Sequence, residues 1–190
     1  MLGAFALRSG STKASGQDAL FASARTISTG TFDDRALEPG RAPNRSATEA
    51  EVQPGDVLVA LRGPVNSVAA MRQKLPRPVF ATLDLAVLRP NSPLDPGYLA
   101  WFINLPTTQT VLAGQRVSGG VPRLPLSALA SLALPLPPLE AQRRIAAVSD
   151  LAREEARITG TLLRLRATLL QTTLSTIASQ AAQEAIPCTP

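Results

Sequence analysis

The run from Leu134 to Val148, LPLPPLEAQRRIAAV, constrains this chain more than any other stretch. Pro135, Pro137 and Pro138 have no backbone donor and hold φ at about −65°, so the segment ahead of Leu139 is expected to be extended and cannot itself be helical. Proline is tolerated in a first helical turn, and Glu140 sets a negative charge against the positive end of the helix dipole. From Leu139 to Ala178 no proline interrupts the chain. The expected organisation is a globular unit over residues 1–137, a stiff joint leading into one long helix over 138–180, and a tail over 181–190.

That helix has a heptad frame. First positions fall at Val148, Glu155, Leu162 and Leu169, and fourth positions at Leu151, Ile158, Leu165 and Thr172, while Leu163, Leu170 and Ile177 widen the stripe. About 40 helical residues span ~60 Å, more than a unit of this size needs, and one helix cannot bury such a face alone. Gly160 weakens it by about 1 kcal/mol relative to alanine. Glu155 at a seam position calls for an arginine such as Arg157 or Arg164 on the facing helix. A partner helix is therefore expected on a surface made by Leu139, Ile145, Val148, Leu151, Ile158, Leu162, Leu165 and Leu169; the alternative is a helix folded back on its own domain.

Upstream, the segments are mixed. In EVQPGDVLVALRG, Pro54-Gly55-Asp56 forms a turn and Val57 to Leu61 a short strand that ends at Arg62-Gly63-Pro64. Val79 to Leu88 forms a second strand, expected to pair with the first. Asp95 is a helix N-cap with Pro96 at the first helical position, and Tyr98, Leu99, Phe102 and Ile103 follow at helical spacing. The helix continues or restarts after Pro106 as far as Ala113. VSGGVPRL is a glycine-rich loop, and LPLSALASLALPL a short helix or turn followed by an extended apolar strand. In the first 55 residues RSGSTKASG and Glu38 to Ser46 are expected as loops, with extended pieces between them. Strands do not alternate regularly with helices, so the fold class is α+β.

Composition narrows the chemistry. Histidine is absent and Cys188 is the single cysteine, which excludes serine–histidine–acid triads, cysteine–histidine pairs, zinc sites and a disulfide framework within this chain. Asp95-Pro96-Gly97-Tyr98 approaches the Asp-Pro-Pro-Tyr element of adenine-N6 methyltransferases, but its third position differs and no glycine-rich turn for S-adenosylmethionine accompanies it. Gly10-Ser11-Thr12-Lys13 has the composition of a phosphate loop in the wrong order. Asp33, Asp34, Asp56 and Asp84 do not form a nuclease pattern. No catalytic residue, metal or cofactor is expected. No window is long and apolar enough for a membrane span, and the N-terminus does not read as a secretion signal, so a cytoplasmic location is expected.

Seventeen arginines and two lysines face fourteen acidic residues. Up to Pro137 there are thirteen basic and nine acidic residues, and beyond it six and five, so the excess lies in the globular part. Charge alone fits a solvated surface better than nucleic-acid binding.

The order of the segments says more. PGDVLVALRG, a strand ending at Arg89-Pro90, GYLAWFIN, SGGVPRL and then PLPPLEAQRRIA before a leucine-rich helix together resemble the DNA-specificity subunit of type I restriction–modification systems. Here Ala141 separates Glu140 from Gln142, where family members often have the acidic residue directly before the glutamine. The resemblance implies a non-catalytic chain that reads double-stranded DNA and directs a separate DNA methyltransferase subunit, and a restriction or translocase subunit where one exists. It also implies a half-length form, one recognition domain and one helix, that pairs as a homodimer on a bipartite target. The residues expected at the DNA are Lys13, Arg25, Arg62, Asn66, Arg116 and Arg123. The rival readings are a stand-alone DNA methyltransferase or nuclease, and a coiled-coil adaptor without DNA affinity.

Overall fold

The strand after Pro54-Gly55 is apolar at every position because both of its faces are covered. The computed structural model describes residues 5–9, 16–28, 30–42, 51–63, 65–117 and 121–184. Its strands are β1 (Phe5–Ser9), β2 (Asp18–Ala22), β3 (Glu38–Arg41), β4 (Glu51–Val52), β5 (Val57–Ala60), β6 (Val68–Ala70), β7 (Val79–Ala81) and β8 (Leu85–Pro90). One sheet has the order β1-β8-β5-β6 and is antiparallel throughout. The other has the order β3-β2-β7-β4, with β2 and β7 parallel. The helices are α1 (Pro96–Asn104), α2 (Pro106–Gly114), α3 (Leu126–Ala130) and α4 (Leu139–Glu184). Strands and helices are segregated in an α+β fold.

Alternation along β5 and β8 builds the layers, since successive side chains of a strand point to opposite faces. Val57, Val59, Leu61, Ala86 and Leu88 pack with Leu99, Ile103, Leu112, Leu124 and Leu129 on the helical side. Leu58, Ala60, Leu85 and Val87 pack with Ala22, Ile27, Val52, Val79 and Ala81 on the side of the second sheet. Where β5 begins, Asp56 is 1% exposed and receives Arg89 through paired 2.7 Å bonds from Nε and Nη2. Arg89 also donates to the Glu51 carbonyl, and the Gln53 amide donates to Asp56. The bond to Asp56, ahead of any other cause, raises the Arg89 pKa above its ordinary value. A forked, multiply hydrogen-bonded pair of this kind closes the strand ends without leaving a bare buried carboxylate.

Three expectations are corrected. Val79 to Leu88 is two strands in different sheets, separated by a tight turn in which the Leu85 amide donates to the Thr82 carbonyl. An apolar run covered on both faces carries no period that would reveal the turn. Only β8 pairs with β5. Glu38 to Arg41 is a strand despite Pro39 and Gly40; β3 lies at a sheet edge, where a missing donor is tolerated. The segment from Leu132 to Pro138 contains no strand, because its prolines cannot complete a ladder.

The chain divides into two units, Met1–Val148 and Ser149–Pro190. Within the first, the start of α4 is held by its glutamine. Gln142 is 1% exposed; its Oε1 accepts from the Asp95 amide at 2.8 Å, and its Nε2 donates to the carbonyls of Pro93 and Pro137 at 3.1 and 2.8 Å. The Asp95 side chain caps α1 by accepting from the Tyr98 amide, and the Tyr98 hydroxyl donates to the Pro135 carbonyl at 3.0 Å. Burial raises the Tyr98 pKa. Gly97 is needed for close approach: a Cβ there would stand 2.9 Å from the Cβ of Ala146.

Replacing Gln142 by leucine should lower the unfolding free energy by about 2–3 kcal/mol, because the Asp95 donor and two carbonyls lose their partner. The midpoint of urea unfolding measures this. Gln142→Glu should be less stable at neutral pH than in mild acid, since only the protonated carboxyl can donate to the proline carbonyls.

Candidate nucleic-acid interface

Loops at one end of β5 come together through backbone bonds. The Leu61 amide donates to the Asp84 carbonyl and the Leu124 amide to the Leu61 carbonyl, both at 2.8 Å. Arg62 bridges Arg123, and Arg123 bridges Val117, each in antiparallel fashion. The turn after β7 is tied in as well, because the Thr82 amide donates to the carbonyl of Ala22, the last residue of β2. Gly63 follows Arg62 with φ of 112°, a conformation that favours glycine, and lets the chain turn directly after the strand.

Arg62, Asn66, Arg116 and Arg123 are thus brought into one region, although they are not equivalent. Arg62 and Arg123 are exposed. Arg62 lies 3.2 Å from Asp84, Nε to Oδ1, with the side chains 50% and 46% exposed. Arg116 is half-buried and donates to Asn66 at 2.8 Å. Asn66 is fully buried: its Nδ2 donates to the Ala60 carbonyl at 2.7 Å, and Gln109 binds its backbone on both sides. It is a brace for the loop rather than a surface group. Arg25 is exposed in the 3-10 turn Ala24–Ile27, which follows β2. Lys13 lies outside the described residues.

Val65, Leu83, Val117 and Val121 are exposed on these same loops. Single exposed apolar residues are ordinary, but here Val65, Val117 and Val121 lie close in sequence to Arg62, Arg116 and Arg123, and Leu83 is next to Asp84. Arginine forks suit phosphates and guanine edges, and small apolar groups suit the thymine methyl. At the other end of β5, a cleft of about 460 Å³ is lined in part by Glu51, Pro54, Lys74, Pro76 and Arg77. Among the described residues no three histidine, cysteine or acidic side chains are placed to share a metal ion, and no helix is long and apolar enough to cross a membrane.

In the second unit the apolar side chains of α4 face solvent. Leu151, Ile158, Leu162, Leu165 and Leu169 are all exposed, as are Leu163, Leu170, Leu174 and Ile177. Of the other residues expected on this surface, Val148 is exposed, Leu139 is half-buried, and Ile145 packs against the core of the first unit.

The type I restriction modification DNA specificity domain matches residues 45–159, which include the arginine loops and the start of α4. The chain belongs to that family. The specificity domain is also similar to two solved structures. One, titled as the structural basis underlying complex assembly and conformational transition of the type I R-M system, is 22% identical with a TM-score of 0.59, covering 95% of this chain and 41% of that one. The other, the HsdS subunit from Thermoanaerobacter tengcongensis, is 22% identical with a TM-score of 0.54, covering 82% of this chain and 36% of that one. At this identity the likeness is one of fold. The specificity domain and its helix span about two fifths of the length of the structures they match. Comparison with curated proteins finds no match.

The sequence reading missed Asp84 and Gln109 at this site. In the sequence Asp84 reads only as a candidate metal ligand, because a carboxylate's arginine partner in another segment leaves no mark in sequence spacing. Asn66→Ala should lower stability by about 1–3 kcal/mol, as expected for an orphaned buried partner, whereas Arg62→Ala should leave the unfolding midpoint nearly unchanged. Thermal or urea unfolding of the two variants separates the brace from the surface group.

Proposed function

We propose that the chain is a non-catalytic DNA-recognition subunit that reads double-stranded DNA with the loops carrying Arg62, Arg116 and Arg123 and directs a separate methyltransferase to it. The observation that carries this reading is the convergence of exposed arginines and exposed apolar residues on joined loops within a specificity-family domain. Arg25, exposed in the 3-10 turn after β2, and Lys13 belong to the proposed contact set as well. A scaffold of layered sheets with binding groups on its loops is the arrangement expected of a recognition module. Phosphate contacts would position the duplex, and base-edge contacts would select it.

The exposed stripe of α4 supports a second part of the proposal: two copies associate through Val148, Leu151, Ile158, Leu162, Leu165 and Leu169, with Leu139 at the edge. A two-fold pair would read an inverted repeat whose halves are separated by unspecified bases, since site symmetry follows protein symmetry. A methyltransferase subunit, and a restriction or translocase subunit where present, would act on the duplex so held, in the cytoplasm.

Selection from randomised duplexes by the chain with its methyltransferase partner tests the function; failure to enrich any split motif would sink it. The Arg62→Ala and Arg123→Ala variants should each weaken DNA retention, and loss of a phosphate contact at Arg123 should reduce the slope of log K against log salt by about 1. A coiled-coil adaptor would show neither effect. For the helix, the full chain should have a dimer's mass in solution at micromolar concentration, and Leu162→Asp should shift it to a monomer's mass; light scattering makes the comparison.

A further inference from the structure

We propose that Asp84 is a specificity-positioning residue, holding Arg62 so that the outer edge of its guanidinium reads a guanine. This rests on the DNA-recognition reading above and deepens it. The two residues come from different elements, Arg62 from the end of β5 and Asp84 from the turn between β7 and β8. Both ends of the contact are anchored by backbone. The Leu61 amide, next to Arg62, donates to the Asp84 carbonyl at 2.8 Å, and the turn is closed by the Leu85 amide on the Thr82 carbonyl at 2.9 Å. The backbone on both sides of the contact is thus set, and Oδ1 lies 3.2 Å from Nε.

The choice of nitrogen matters. With Asp84 nearest Nε, the Nη1 and Nη2 edge is left to meet a ligand. That edge is a planar fork that matches O6 and N7 of guanine in the major groove. The side chains remain 50% and 46% exposed, so the pair is open to a ligand. An exposed ion pair contributes little to folding, and a negative charge facing DNA opposes phosphate binding. The second term counts against Arg62 as a general phosphate anchor and favours an oriented base reader. Arg123, bridged to Arg62 by backbone and exposed on the adjoining loop, is free of that carboxylate constraint in its expected role and suits the phosphate contact beside it.

The test is selection from a pool of randomised duplexes by the full chain with its methyltransferase partner, compared among the wild type and Asp84→Ala, Asp84→Asn and Arg62→Lys, with unfolding midpoints recorded for each. The wild type should enrich a motif with one guanine position per half-site that all three variants lose, by about tenfold or more in preference, while the other positions and the midpoints stay as they were. Arg62→Lys keeps the charge but lacks the fork, so its loss of the same position ties Asp84 to Arg62. An unchanged guanine preference in Asp84→Ala overturns the inference, as does a variant that simply binds every duplex more tightly, which would place Arg62 on a phosphate. If the wild type enriches no motif, the recognition reading itself fails.

Discussion

A single buried amide sets the start of the long helix. The proline-rich joint offers carbonyls and few donors, so its polar groups must be met by side chains from elsewhere. Gln142 supplies two donor bonds, to Pro93 and Pro137, and accepts from Asp95, while Tyr98 supplies a third donor to Pro135. Leucine or alanine at 142 would fill space but leave these groups bare in a region closed to water, where an unmet polar group is costly. The first turns of α4 are thereby held to the N-terminus of α1, and Gly97 permits the contact with Ala146 to be close.

The same economy governs the sheets. β5 and β8 are buried on both faces, one against helices and one against the second sheet, and Asp56 with Arg89 closes their shared end. With that end closed by an ion pair and hydrogen bonds, the loops at the opposite end of β5 are left to carry exposed side chains. Arg62 and Arg123 are set by strand register and bridges, not by packing of their own side chains. A rigid frame under exposed arginines reduces the ordering that binding would otherwise require.

α4 shows the contrasting case. Beyond Val148 its leucines and isoleucines are exposed, and the cost of leaving that much apolar surface in water, about 25 cal/mol per Å², is the physical argument for a partner. The apolar rows through Leu162 and Leu163 are broader than a narrow heptad seam, which favours a helix that packs over a wide face. Ile145, by contrast, is expected from the sequence on the partner surface but packs against the core of the first unit in space.

Much of this was legible in the amino-acid order because it is local. Prolines placed the start of α4 near Leu139, Asp95-Pro96 announced α1, and the apolar run after Pro54-Gly55 announced β5; each depends on the backbone chemistry of a few neighbouring residues. The arginines at 62 and 123 were also visible as loop cations. What the sequence left open required contacts between distant residues. Tertiary structure alone decided that Val79 to Leu88 is split between two sheets, that Asn66 is a buried brace, that Gln142 is the lock of the joint and that Asp84 stands beside Arg62. The reason is that hydrogen bonds and ion pairs between segments 22 to 50 residues apart, as in Arg62 with Asp84 and Arg116 with Asn66, have no period or composition to betray them, whereas helices, turns and strand ends are written in the residues that form them.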